Sequence, residues 1–245
     1  GVALELKIFK RDSTFVTTEQ LAQLSYQLNP ISSVYGGYKG YESSNLLDET
    51  IAGNAVEDYT SQFLIAGGTI TLSQNSELFP NKTTIQLATE IGQRESMQNK
   101  EDQTRASVTI NHIFNLNNRN SIFIQNNTAA LFSETYLTNE LFRFGGINSI
   151  RGFNENSIDA SLYAVLNTEY RYLLNNSLYI HSIIDLGYFE NEIQNIKSKL
   201  YSFGVGLGIQ TKGGLLRFNI ANGNSENQDF KFSNTKIHLS LTSRF

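Results

Sequence analysis

Cysteine and tryptophan are absent from this 245-residue chain, which has only two prolines and one methionine. Without cysteine there is no disulfide, no thiolate metal ligand and no cysteine nucleophile. Charge is scarce as well: charged residues make up 17% and apolar residues 40%, against ~25% and ~45–50% in soluble domains. The 23 acidic and 19 basic residues give a net charge of −4 with no basic block, which argues against nucleic acid as a partner. No apolar run approaches the ~18–20 residues of a membrane helix. The first residues carry no leader pattern, which suits a mature chain or one trimmed upstream. With no linker, no repeat beyond a hairpin unit and no low-complexity tail, residues 1–245 read as one domain without a soluble companion.

What remains is the vocabulary of strands and polar loops: Asn, Ser, Thr, Gln, Gly, Leu, Ile, 16 Phe and 12 Tyr. Helical periodicity is nearly absent, and alternation with period two is everywhere. In 162–172, Leu162, Ala164, Leu166, Thr168, Tyr170 and Tyr172 share one face, opposite Tyr163, Val165, Asn167, Glu169 and Arg171. In 178–188, Ile180, Ile184 and Leu186 lie opposite Tyr179, His181 and Asp185. The last segment sets Ile237, Leu239, Leu241 and Phe245 against Lys236, His238, Ser240 and Arg244. Similar segments at 2–10, 15–28, 34–42, 62–72, 83–94, 106–114, 121–132, 201–210 and 214–222 bring the expectation to about twelve strands. Short connectors (29–33, 115–120, 174–177, 211–214) alternate with long ones (43–59, 95–105, 133–160, 190–199, 222–228). Two connectors fit less well: 10–14 is short where a long one is due, and 73–82 is long for a tight turn.

Alternation alone also fits a soluble sandwich. Three features favour an antiparallel up-and-down transmembrane β-barrel. Many segments run ten residues or more, whereas soluble strands average ~5–6 and a tilted membrane strand needs ~9–11. The polar faces hold Glu169, Arg171, Asp185 and His181, while the opposite faces hold almost no charge. Aromatics such as Tyr170, Tyr172, Tyr188, Tyr201 and Phe245 sit near segment ends on the apolar parity, where interfacial girdles belong.

The longest connector, 133–160, contains Leu141, Phe142, Phe144, Ile147, Ile150 and Phe153. Such side chains need burial, so the loop is expected to fold inward and plug the bore. Gly204, Gly206 and Gly208 leave a stripe without side chains on one lumen face, which would admit another backbone at close range.

The segment Gly146-Ile147-Asn148-Ser149-Ile150-Arg151-Gly152-Phe153 resembles the inward-folded sixth-loop motif, (V/I)RG(F/Y), of the BamA/TamA/FhaC superfamily of outer-membrane assembly and translocation barrels. In that family acidic lumen residues on the next two strands hold the loop arginine, and Glu169 and Asp185 match those positions. The segment 204–223 is similar to the strand pair before the family's last strand. Leu239, Leu241 and Phe245 resemble its C-terminal assembly signal. The resemblance is strong over 140–245 and rests on pattern alone before that. It departs from the family in strand number, about twelve against sixteen, and in lacking POTRA domains; the chain reads as the C-terminal barrel part or as a short POTRA-less member. Gly213-Gly214 replaces a common Gly-Pro, and Asn219 a common Asp.

One guanidinium can bond two carboxylates at once, and adjacent strands lie ~4.8 Å apart, so Arg151 can reach both Glu169 and Asp185. Losing the arginine in a hydrated bore is expected to cost about 1–3 kcal/mol. The bland alternative is that both carboxylates merely solvate the wall. His112, His181 and His238 lack ligand spacing, so neither a metal nor a cofactor is expected. Gly36-Gly37 and Gly67-Gly68 suggest kinks or bulges. No nucleophile accompanies the carboxylates, so an enzyme is not expected. The resemblance implies assistance to insertion or translocation of outer-membrane or secreted proteins, through a weak seam between 2–10 and 236–245 and local bilayer thinning. The alternatives are a passive porin-like channel and a structural or oligomer-forming barrel. Outer-membrane lipid, substrate outer-membrane proteins, subunits of a membrane complex and a second copy are the partners these readings imply. The compartment that the resemblance implies is the outer membrane of a Gram-negative bacterium or an organelle outer membrane of bacterial origin.

Overall fold

Side chains that alternate between apolar and polar build strands with one greasy and one wet face, and here the long strands pair in the order in which the chain visits them. The computed structural model describes residues 1–11, 14–47, 56–97, 99–226 and 230–243. The chain runs through β1 (Val2–Arg11), β2 (Phe15–Asn29), β3 (Ser32–Asn45), β4 (Tyr59–Ser73), β5 (Asn81–Ser96), β6 (Lys100–Asn115) and β7 (Asn120–Phe132). The inward loop follows, with a 3₁₀ turn at Thr138–Glu140 and two short strands, β8 (Phe142–Phe144) and β9 (Ile158–Ala160). The meander resumes with β10 (Leu162–Asn175), β11 (Leu178–Asn191), β12 (Ile196–Thr211), β13 (Gly214–Ser225) and β14 (Thr235–Thr242). Twelve of these form one antiparallel sheet in chain order, and β8 and β9 pair separately. Among the described residues β1 and β14 do not pair with each other.

The two faces are chemically opposite. Leu4 is 79% exposed, Leu64 73%, Val205 62% and Leu239 67%, whereas Asp185 is 0% and Asn219 1% exposed. Rows of bare Leu, Ile and Val over the whole outer surface would aggregate in water but suit acyl chains. Polar groups turned inward meet one another around the loop instead of lipid. The chain is thus an all-β transmembrane barrel with an inward-folded loop. Leu239 and Leu241 lie on the outer face of β14, and Phe245 is outside the described residues.

Two stretches expected as long loops are the ends of strands. β5 continues to Ser96 and β6 begins at Lys100; β11 continues to Asn191 and β12 begins at Ile196. The ladder persists through Gln93–Asp102 and Glu190–Lys197 pairs. Both faces carry polar residues there, so the alternation fades while the pairing does not. The 74–80 connector, long for a tight turn, is folded under the short-turn end. Leu78 is buried, and Phe79 packs edge-on against Tyr179 at 4.9 Å. The β3–β4 register runs unbroken through Gly36, Gly37, Gly67 and Gly68, which corrects the expected bulges. The shifts fall instead at 27/29, 72/73 and 173/175, beside the short connectors.

The outward row generates a direct test. Ile184, midway along β11, is 54% exposed on the apolar face. An Ile184→Arg substitution should lower stability in lipid vesicles by about 2–4 kcal/mol in a denaturant titration. A variant as stable as the parent would place that row outside the hydrocarbon.

Candidate functional site

The loop between β7 and β10 folds back into the barrel because its apolar side chains find partners there. Phe144 and Ile150 pack with Ala160, Val165 of β10 and Leu200 of β12, and Phe153 and Phe189 border the cluster. Phe144 stacks on Tyr163 at 4.6 Å. The backbone reaches this position through positive φ at Gly145, Gly146 and Gly152. At Gly152 a side chain is excluded for a second reason: a Cβ there would lie 2.5 Å from the Gly223 nitrogen of β13. Glu155 Oε1 accepts the Ile147 N–H at 2.7 Å and closes the tip on itself.

Arg151 enters the bore from this tip and is 3% exposed. Its backbone N–H and Nε donate to Asp185 Oδ2 at 3.0 and 2.9 Å, Nη2 donates to Oδ1, and Nη1 donates to Glu169 Oε1. Burial opposes the charged guanidinium, and the bonds it donates to Asp185 and Glu169 offset that cost. Glu169 Oε2 also accepts from Arg171 Nε at 2.7 Å, and the Arg171 guanidinium rests 4.0 Å from the centre of the Phe123 ring. Two cations and two anions therefore balance. Around them, Asn167 Nδ2 donates to the Ser149 carbonyl at 2.7 Å, and the Gly152 N–H donates to His238 Nε2 of β14 at 3.0 Å. His181 Nε2 lies 3.0 Å from Asn219 Oδ1.

The structure places Arg151 against Glu169 and Asp185, with Gly152 and Phe153 beside it. Arg171, His181 and His238 belong to the same network, although sequence reasoning left them as wall residues. Arg171 is legible in hindsight, two residues from Glu169 on the same face. The burial also corrects the expected energetics. Arg151, Glu169 and Asp185 are all buried, so removing Arg151 leaves uncompensated buried charge at a cost of about 3–5 kcal/mol, moderated by Arg171. The glycine stripe works differently from expectation. Space over Gly206 and Gly208 is taken by the His181 and Asn219 side chains and by the Tyr179 ring, and the loop backbone approaches at Gly223 instead.

A second set of buried charges was not read from the sequence. Arg94 of β5, 1% exposed, donates from Nη1 to Glu140 Oε1 of the loop at 2.9 Å and pairs with Glu101 of β6 at 3.0 Å. The loop also reaches the first strands: Arg11 of β1 donates to both oxygens of Asp159 at 2.9 and 2.7 Å, and Arg143 lies 3.6 Å from the centre of the Phe9 ring. The expected seam therefore consists of two sheet ends, β1 and β14, that touch the same loop from either side.

We expect Glu169→Ala combined with Asp185→Ala to expose the tip. Limited trypsinolysis of the vesicle-embedded protein should then cut after Arg143 and Arg151, where the parent resists. Equal resistance would show that the carboxylates do not hold the loop.

Comparison with known proteins agrees with this geometry. Among curated proteins none matches the sequence. Of solved structures, BamA from Haemophilus ducreyi lacking POTRA domains 1–3 is similar, with TM-score 0.67 and 15% identity over 92% of this chain and 53% of that one. CdiB from Acinetobacter baumannii is similar with TM-score 0.57 and 14% identity, over 92% of this chain and 41% of that one. The chain thus spans about half the length of the solved chains it resembles, and at these identities the likeness is one of fold. The sequence model of the Omp85 superfamily domain matches residues 13–237, and the chain belongs to that superfamily.

Proposed function

We propose that this barrel assists the insertion or translocation of outer-membrane or secreted proteins in the outer membrane of a Gram-negative bacterium or a related organelle. In this reading the barrel acts by guiding and pairing with its substrates and not by catalysis. The observation that carries the reading is the loop: a conformationally exacting tip, held in a bore by Arg151 on Asp185 and Glu169. A barrel whose bore were only structural would have no need of so costly an internal ion cluster.

The ends of the sheet support the same reading. β14 pairs with β13 over eight residues, while most strands run 13 to 16. A short strand presents a short apolar height, and the bilayer adapts to such a mismatch by thinning. The edges of β1 and β14 offer backbone donors and acceptors beside that thinned lipid, where an incoming strand could pair.

The second reading is a passive channel plugged by the same loop. One observation favours it: a cavity of about 360 Å³ remains beside the loop, lined by Lys7, Glu19, Tyr41, Arg105 and Arg143 among others. Photo-crosslinkers at Leu4 and Leu239 separate the two. The proposed function expects adducts with newly made outer-membrane proteins, fewer of them in Arg151→Ala. No adducts, with Arg151→Ala giving a permanently open large conductance, would make the protein a passive channel.

A further inference from the structure

The Arg151 network leaves one group of buried charges unused. Glu140, 3% exposed, sits in the first limb of the loop, eleven residues before Arg151. Its carboxylate accepts from Arg94 Nη1 at 2.9 Å, from Gln103 Nε2 at 2.9 Å and from the Leu137 N–H at 2.8 Å. Its backbone carbonyl accepts from Arg105 Nη1 at 2.9 Å. Arg94 in turn donates from Nη2 to Thr135 Oγ1 at 2.7 Å and pairs with Glu101, whose carboxylate accepts the Thr135 N–H at 3.0 Å.

This cluster reverses the polarity of the first. At Arg151 the loop brings the cation and the wall the anions; at Glu140 the loop brings the anion and the wall the cation. The two also differ in depth. Arg94 and Glu101 are register partners near the end of β5 and the start of β6, at the rim, whereas Glu169 and Asp185 lie midway along β10 and β11. The backbone between them is built to bend: Gly145 and Gly146 carry positive φ on one side of the tip, and Asn156 does on the other.

We propose that the loop is held by two separately releasable latches, and that Glu140 and Arg94 are positioning residues of a rim latch which retains the first limb while the Arg151 tip swings free about Gly145–Gly146 and Asn156. Breaking the mid-bore latch alone opens the depth of the bore but not its rim, and full opening needs both. Reading the loop as a movable plug underlies this inference, but the test below reads the loop alone. Its outcome is therefore separate from whether the barrel handles protein substrates.

The natural absence of cysteine makes an engineered thiol unique. Reporters Leu137→Cys, in the rim limb, and Ser149→Cys, in the tip, both replace buried residues. Maleimide labelling is followed in the full chain reconstituted in vesicles, with β-content checked by circular dichroism. Arg151→Ala should speed labelling of Ser149→Cys on the order of a hundredfold and leave Leu137→Cys protected. Glu140→Gln, which keeps the shape and removes the charge, should do the reverse, and the double variant should expose both. Arg94→Ala should act as Glu140→Gln does, and should it fail to fold, Glu140→Gln carries the test alone. Equal exposure of both reporters by Arg151→Ala would mean that the loop leaves as one body, and protection of Leu137→Cys in Glu140→Gln would mean that there is no rim latch. Either result overturns the proposal.

Discussion

A guanidinium carried into the bore of a lipid-embedded cylinder must meet fixed anions or be expelled, and Asp185 and Glu169 meet that demand for Arg151. Asp185 takes the backbone N–H as well as two side-chain nitrogens, so it fixes the chain path and not only the charge. Glu169 is shared with Arg171, which keeps the cluster near neutrality and lets the wall hold two carboxylates within a few ångströms. The Gly152 turn, the Phe144–Ile150 packing and the approach to Gly223 all follow from where that one side chain has to go.

The same constraint sets the division of faces. Lipid outside disfavours unpaired polar groups, so hydrogen bonds close along the sheet from β1 to β14, leaving only those two edges, and charged side chains turn to the inner face. Inward charges then accumulate in a confined space and have to neutralise one another, which the loop accomplishes by bringing Arg151 to one arc of wall and Glu140 to another. The bore is consequently occupied, though not completely, by a polypeptide whose contacts are ionic at its anchors and apolar along its underside. Such contacts are strong when dry and are weakened together when water enters.

Much of this was legible before any coordinates. Period-two alternation in 178–188 separates Ile184 and Leu186 from Asp185, and the structure places them on opposite sides of the wall. The resemblance of Arg151-Gly152-Phe153 to a family loop motif, with Glu169 and Asp185 on lumen parity, points to the contact that the structure contains. The strand ends at Gln93–Asp102 and Glu190–Lys197 were illegible because both faces are wet there, and period two carries no signal without a solvent difference. The Glu140–Arg94 pair was missed because it joins residues 46 apart through a loop whose path no local pattern fixes. A lone carboxylate directly before Leu141 and Phe142 was the available hint: these apolar side chains draw their neighbour into the interior, and a buried Glu needs a cation. His238 was beyond reach for the same reason, since its partner is the Gly152 N–H and not a side chain.

The central claim, that fixed wall anions hold the loop tip inside the bore, is tested most directly by amide hydrogen exchange over 146–153 in the vesicle-embedded protein. The Arg151 and Gly152 N–H groups donate to Asp185 and His238, so both should exchange as slowly as the neighbouring strands and accelerate sharply in Asp185→Ala. Fast exchange at both amides in the parent protein would contradict the account.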